Sequence, residues 1–277
     1  NEFIINAKFS GGIKKVLFSE FKLSNSKTTL NSTLEFDFPK EGKLSNILLN
    51  FKELKSSSYE LQDIYPNIFG TILPSSLQSM GEFVLKGDLI YKSERVKSNI
   101  YLENKGGKIY SDLDIYDFQN IDNASYVGTF KGDNVELSSF ITLPFLGKST
   151  FQFSIDGKGF TPELLNTRLE GNIQDLSINN YNYSDINVLG DVSDKIFNGT
   201  LNVVDENLEM DFTGLIDYSD ELIDFDFSTN IIKANIGMLG LTSAENNTLS
   251  GNITTKLRGS NIKDLIGDVS FSDFIYF

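Results

Sequence analysis

The chain has no histidine, no cysteine and no tryptophan, and only five prolines and three methionines in 277 residues. Without histidine and cysteine there is no Ser-His-Asp or Cys-His catalysis, no imidazole general base and almost no route to a structural zinc site. Without cysteine there is no disulfide framework. That suits an oxidising compartment, where stray thiols are a hazard. No stretch of 18 or more apolar residues exists, so the sequence holds no membrane-spanning helix. Basic residues are outnumbered, 24 against 38 acidic ones, giving a net charge of −14. Nucleic acid demands a basic footprint and is excluded as a partner.

What is present is a period of two. Leu34, Phe36 and Phe38 alternate with Glu35 and Asp37; Phe151, Phe153 and Ile155 with Gln152 and Ser154; Leu208, Met210 and Phe212 with Glu209 and Asp211. Phe225 and Phe227 enclose Asp226. Strict alternation places one set on each face of a β-sheet, so the sheet has a wet acidic face and a dry face of Phe, Leu and Ile. Twenty-three Phe and eleven Tyr favour strands. The shared phase puts Phe151, Phe153, Ile155, Leu201, Val203, Leu208, Met210, Phe212, Phe225, Phe227, Val269 and Phe271 on one continuous apolar surface.

Glycine recurs inside this pattern. Ten of the 22 glycines lie in apolar–x–Gly–x–apolar, among them Gly87, Gly128, Gly171, Gly190, Gly199, Gly214, Gly251 and Gly267. Chance alone would place about three or four there. A glycine in this phase sits on the dry face, where it removes a side chain and permits a bulge, a bend or the close approach of another group. A series of them, strand after strand, reads as a sheet that curls.

The order of elements follows. Residues 3–9, 13–23, 28–38 and 43–54 read as strands. Ser56–Gly81 breaks the alternation: serines that can cap, then Leu61, Ile64, Tyr65 and Ile68 at helical spacing, then Pro74, Leu77 and Met80 closed by Gly81. This predicts a helical hairpin over 56–81 inside an all-β chain, packed on an edge or opening of the sheet. Gly106-Gly107 signals a hairpin, Lys131–Asn134 a second turn, and Asp205-Glu206-Asn207 a third. Thr161-Pro162-Glu163 predicts one or two helical turns over 161–166, and 261–266 a short helix. No low-complexity linker divides the chain. Ile155–Ile178 and Leu257–Phe274 share a plan of strand, glycine, short helix and Gly-x-Ile/Val strand, as in stacked repeats. The opening at Asn1 and the close inside an apparent strand read as an internal piece of a longer protein.

Three chemical motifs carry little. Gly147-Lys148-Ser149 ends like a phosphate-binding loop, but Thr142 stands where the upstream glycine is required. Asp112/Asp114 and Asp224/Asp226 are carboxylate pairs on one strand face, suited to Ca²⁺ or to glycosidase chemistry, and read as solvated strand surface. Six Asn-x-Ser/Thr sequons are expected in so asparagine-rich a chain. No catalytic or metal-binding constellation emerges, and no cofactor; the chain reads as a non-enzyme.

The run from Asp156 to Thr167 (Asp-Gly-Lys-Gly-Phe-Thr-Pro-Glu-Leu-Leu-Asn-Thr) through Leu169-Glu170-Gly171-Asn172-Ile173 resembles the AsmA-like superfamily. So do Tyr181–Ile186, Gly190, Phe197–Leu201, Asp205 to Gly214, and Asp63, Pro66, Gly81 and Gly87 around the predicted hairpin. Within the superfamily the likeness is to the TamB (translocation and assembly module) family in its Bacteroidota form, although the membrane anchor and characteristic C-terminal domain of that family are absent here. The resemblance implies an elongated, curled antiparallel sheet forming an open trough, the β-taco. It implies a place in the periplasm, with an inner-membrane anchor supplied by a segment outside this sequence. It also implies a role in outer-membrane biogenesis and protein secretion, through passage of phospholipid along the trough or help to an insertase barrel of the TamA type. Two other readings fit the alternation. One is a closed β-sandwich serving as adhesin or carbohydrate-binding module; the other is an outer-membrane β-barrel closing at Phe271–Phe277.

Overall fold

In the computed structural model the described residues are 3–38, 45–62, 78, 80–92, 95–118, 124–139, 143, 145–161, 163–242, 247–260 and 264–277. They are almost entirely strand. The chain divides into two compact units, Asn1–Thr142 and Leu143–Phe277.

The first unit contains β1 (Ile4–Gly12), β2 (Lys15–Ser24), β3 (Thr29–Asp37), β4 (Asn46–Ser57), β5 (Glu82–Lys92), β6 (Arg95–Asn104), β7 (Gly107–Tyr116) and β8 (Ser125–Glu136). The second contains β9 (Leu146–Lys158), β10 (Asn166–Ile178), β11 (Tyr181–Ser193), β12 (Ile196–Val204), β13 (Leu208–Asp217), β14 (Ile223–Asn235), β15 (Thr248–Gly259) and β16 (Ile266–Tyr276). In each unit every strand pairs antiparallel with its neighbours in sequence, a plain meander. Among the described residues β1 pairs with β2 alone and β16 with β15 alone, so the sheet is open and not closed into a barrel.

Tight turns make this order possible. Asn179-Asn180 and Asp194-Lys195 join β10 to β11 and β11 to β12 with both central residues at positive φ, from 49° to 70°. Such primed two-residue turns match the twist of the flanking strands. Curl comes from irregular register. The ladders shift at β1–β2, β2–β3, β3–β4 and β4–β5 in the first unit, and at β9–β10, β13–β14, β14–β15 and β15–β16 in the second. Each shift bends a strand and raises its local twist. At Gly87, φ is +129°, and a Cβ there would lie 3.0 Å from the Cα of Ile100 on the next strand; only glycine allows this approach.

Several predicted boundaries move. Lys131–Asn134 is not a turn: β8 runs straight through it, with Lys108 opposite Asp133 and Ile109 opposite Gly132. Asn134 takes a left-handed φ of 54° and kinks the strand without ending it, because asparagine tolerates that region. β1 extends through Gly11 and Gly12, so the first turn falls at Ile13-Lys14 rather than before Ile13. At the predicted 161–166 helix the backbone N–H groups of Leu164 and Leu165 both donate to the Thr161 carbonyl, a single turn, and Asn166 already opens β10; residue 162 lies outside the described residues. Ile266 opens β16 rather than closing a helix, and residues 261–263 lie outside the described residues. Of the predicted hairpin over 56–81, Ser56 and Ser57 end β4 and residues 58–62 are helical. Residues 63–77 and 79 lie outside the described residues.

The dry face of the first unit alternates large and small across its strands. Phe21, Ser32, Phe51, Gly87, Ile100, Ser111 and Phe130 stand side by side in register. The serines and the glycine make room for the rings, a jigsaw that fills space without strain. Ser32 is fully buried, and its hydroxyl finds no hydrogen-bond partner among the described residues. A buried unsatisfied hydroxyl costs about 1–3 kcal/mol. Ser32→Ala is therefore expected to raise stability by about 1 kcal/mol, read as a higher urea midpoint at unchanged m-value. A lower midpoint would mean that the hydroxyl is bonded.

The dry face of the second unit as candidate functional site

The twelve residues expected on one apolar surface all belong to the second unit, and the strand register decides whether they share a face. One lateral row runs Phe153, Gly171, Val188, Leu201, Phe212, Thr229, Ile253, Phe271 across all eight strands. The next runs Phe151, Ile173, Ile186, Val203, Met210, Ile231. On the other side lie Ile155, Leu169, Gly190, Gly199, Gly214, Phe227, Thr255 and Val269, then Phe225 between Ile216 and Leu257. Leu208 faces Ala234 beyond a bulge, joined to the same buried cluster. All twelve share one face: the ladder shifts of this unit fall beyond the rows that join them, and Leu208, past the β13–β14 shift, keeps the phase of Met210 on its own strand.

Their exposure is graded. Val203, Phe212 and Leu208 are buried. Phe151, Phe153, Ile155, Leu201, Met210, Phe225 and Phe227 are half-buried. Val269 is 41% exposed and Phe271 56%, since β16 lacks a further neighbour. In a closed sandwich the facing sheet would bury this whole set. Strands here touch in quantity only their ladder neighbours. Ring contacts tie the rows together: Phe151 to Phe153 at 5.5 Å between centroids, Phe212 to Phe227 at 4.9 Å.

The glycines hold the rows close. Gly190, Gly199 and Gly214 stand opposite one another on β11, β12 and β13. The Phe197 ring lies over the first two, 2.7 Å and 2.9 Å from where their Cβ atoms would be. The missing side chains are thus replaced by a ring from the same face.

Sequence reasoning missed part of the surface. Ile173, Ile186, Val188, Ile231 and Ala234 belong to the same cluster, and all but Ala234, displaced by the bulge, follow the alternation that identified the others. Ile236 and Leu239 also join it, from the turn after β14, where no periodicity exists to reveal them.

The wet face is acidic and paired. Gln152, Ser154, Glu209, Asp211 and Asp226 are exposed, opposite in phase to the dry rows. Asp224 and Asp226 meet Arg258 and Lys256 at 3.6 and 3.0 Å, and in the first unit Asp114 pairs with Arg95. These carboxylates are surface ion pairs, worth little each. Among the described residues no group of three or more acidic side chains is placed to hold a metal. Gly147-Lys148-Ser149 lies inside β9, and the buried Ser149 hydroxyl donates to the Asp175 carbonyl, so there is no phosphate loop.

One end of the dry cluster is closed by a polar clasp. Tyr181 Oη donates to Asp205 Oδ1 at 2.5 Å, and the backbone and hydroxyl of Ser184 both donate to Oδ2 at 3.0 Å. Asn207 completes it, its backbone N–H to Asp205 Oδ1 and its Nδ2 to Tyr181 Oη. Burial alone would raise the Asp205 carboxyl, but the donors from Tyr181, Asn207 and Ser184 outweigh it and hold the group below its ordinary 3.8. Burial, then the Asp205 contact, push the Tyr181 phenol up to about 12. A carboxyl lowered on folding stabilises the protein above its unfolded value, and this contribution is lost as pH falls through the folded value. Acid titration below pH 3.8 should therefore unfold wild type more steeply than Asp205→Asn; equal pH slopes would remove Asp205 from the acid transition.

Compared with known proteins, the chain matches no family model, no curated protein and no solved structure.

Proposed function

We propose that the dry face binds acyl chains and that the protein is a non-catalytic lipid conduit in outer-membrane assembly. It would stand in the periplasm, held at the inner membrane by a segment outside this sequence, and work with an outer-membrane insertase barrel of the TamA type. The observation that carries the reading is the apolar surface itself: in register across eight strands, buried at Val203, Phe212 and Leu208, half-buried around them and most exposed on β16. Large exposed apolar surface on an otherwise acidic protein marks a binding site. Each CH₂ transferred from water to such a surface contributes about 0.8 kcal/mol, so one acyl chain suffices for useful affinity. The acidic balance offers no basic cluster to hold a headgroup, so binding is expected to be insensitive to salt.

Photocrosslinking side chains at positions 153, 210 and 227, compared in cells with positions 152, 209 and 226, test this. Phospholipid adducts are expected at the first three and not at the second three. Equal labelling of both sets, or none of either, removes the lipid reading.

A further inference from the structure

The opposite face of the same unit carries a groove that the lipid reading does not use. It is a shallow hollow of about 710 Å³ across β9–β13, on the polar side, walled by Gln152, Glu170, Asn172, Asn187, Asn202 and Asp211. These are not scattered polar residues. Gln152, Asn172, Asn187, Asn202 and Asp211 stand directly opposite one another on five successive strands. Their spacing is therefore the strand spacing, about 4.7–4.9 Å. The first unit has a similar row, Asn50, Asp88, Asn99 and Asp112, but this groove lies in the second.

The amides are linked head to tail. Asn172 Nδ2 donates to Asn187 Oδ1 at 3.3 Å, Asn187 Nδ2 to Asn202 Oδ1 at 3.4 Å, and Asn202 Nδ2 to Asp211 Oδ1 at 3.0 Å. A carboxamide has two N–H donors and two lone pairs on its oxygen. In Asn187 and Asn202 these bonds use one donor and one lone pair each. The ladder thus fixes the side-chain orientation and leaves Asn187 and Asn202 one donor and one acceptor each, while Asn172 Nδ2 also donates to the Ile186 carbonyl at 3.3 Å. Bonds of this kind polarise one another along a chain that ends on a carboxylate.

We infer that this groove binds a neutral oligosaccharide. A row of paired donors and acceptors, repeating at even intervals, matches the vicinal hydroxyls of successive sugar units. Glu170 and Asp211 in the wall, on a protein of net charge −14, repel phosphates and other anions. Leu189, which is 40% exposed, adds apolar surface to the wall, which Val188, Leu201 and Phe212 also line, and this suits the C–H faces of a sugar ring. Amides outnumber carboxylates in the ladder, which favours a neutral ligand over a polycation.

The test is calorimetric titration of the whole chain with cellohexaose, chitohexaose and maltohexaose. At least one is expected to bind, and Asn202→Leu to weaken it at least tenfold. Asn252→Leu, on the same face but two strands beyond Asp211 and outside the groove wall, is expected to leave binding unchanged. Thermal melts of each variant show that it folds; if Asn202→Leu does not, Asp211→Asn and Asn187→Ala replace it, with the same loss expected. No binding by any of the three sugars overturns the proposal, as does equal binding by wild type and groove variants. Salt-sensitive binding of spermidine with none of the sugars overturns it in favour of a cation site. Because the lipid test reads the dry face, failure of one leaves the other standing.

Discussion

Replacing Gly199 by valine is expected to lower the melting temperature by about 10 °C. A Cβ at position 199 would lie 2.6 Å from the Cα of Gly190 and 2.9 Å from the Phe197 ring, and closer still to the Leu189 carbonyl. Two of these obstacles are backbone, so the β11–β12 ladder has to move. Overpacking of this kind costs about 1–3 kcal/mol, and displaced ladder bonds add to it. At about 3 kcal/mol and 2–4 °C per kcal/mol for a protein of this size, the shift is near 10 °C. Gly12 is the control. A Cβ there meets nothing within 4 Å, so Gly12→Ala should change the midpoint by no more than a degree or two. Equal shifts in the two variants would show that the glycine row is not what sets the approach of the strands.

Val203→Asp is the second large effect, and it separates folding from binding. Val203 is 3% exposed, between Ile186 and Met210 in register. An unpaired carboxylate there costs about 4 kcal/mol or more, a large share of the roughly 5–15 kcal/mol that holds a domain folded. Loss of the cooperative transition, or insoluble protein, is expected. Phe271→Asp places the same charge on the same lateral surface, at a site 56% exposed. It should cost about 1 kcal/mol or less and leave the fold intact. On the acyl-binding reading it should nevertheless lower phospholipid crosslinking at position 227. Retained crosslinking in folded Phe271→Asp would confine lipid to the sheltered rows or remove it altogether.

The two substitutions differ for a reason that no strand-by-strand reading shows. Phe271 and Val203 have the same alternation, and sequence places them on the same face with the same weight. Exposure differs because β12 has ladder neighbours on both sides while β16 has one. Neighbour order is a property of the whole sheet.

Strand phase was legible residue by residue, because a period of two depends only on local backbone geometry. Hence the twelve dry positions, the wet acidic partners and the turn at Asp205–Asn207 were all readable in advance. The glycines were readable too, as residues on the dry face; that a phenylalanine from the neighbouring position would roof them was not. Asn134 shows the limit of local signals: the composition of Lys131–Asn134 is that of a turn, yet pairing with β7 on one side keeps the strand going. The amide ladder went unread for a different reason. Asn172, Asn187, Asn202 and Asp211 lie 9 to 15 residues apart with no fixed interval, and only the register of three ladders brings them side by side. The alternating sequence determined which side of the sheet each residue faces. Which residues stand next to one another on that side was decided by tertiary structure, through turn lengths and bulges that set the offset of each strand on the next.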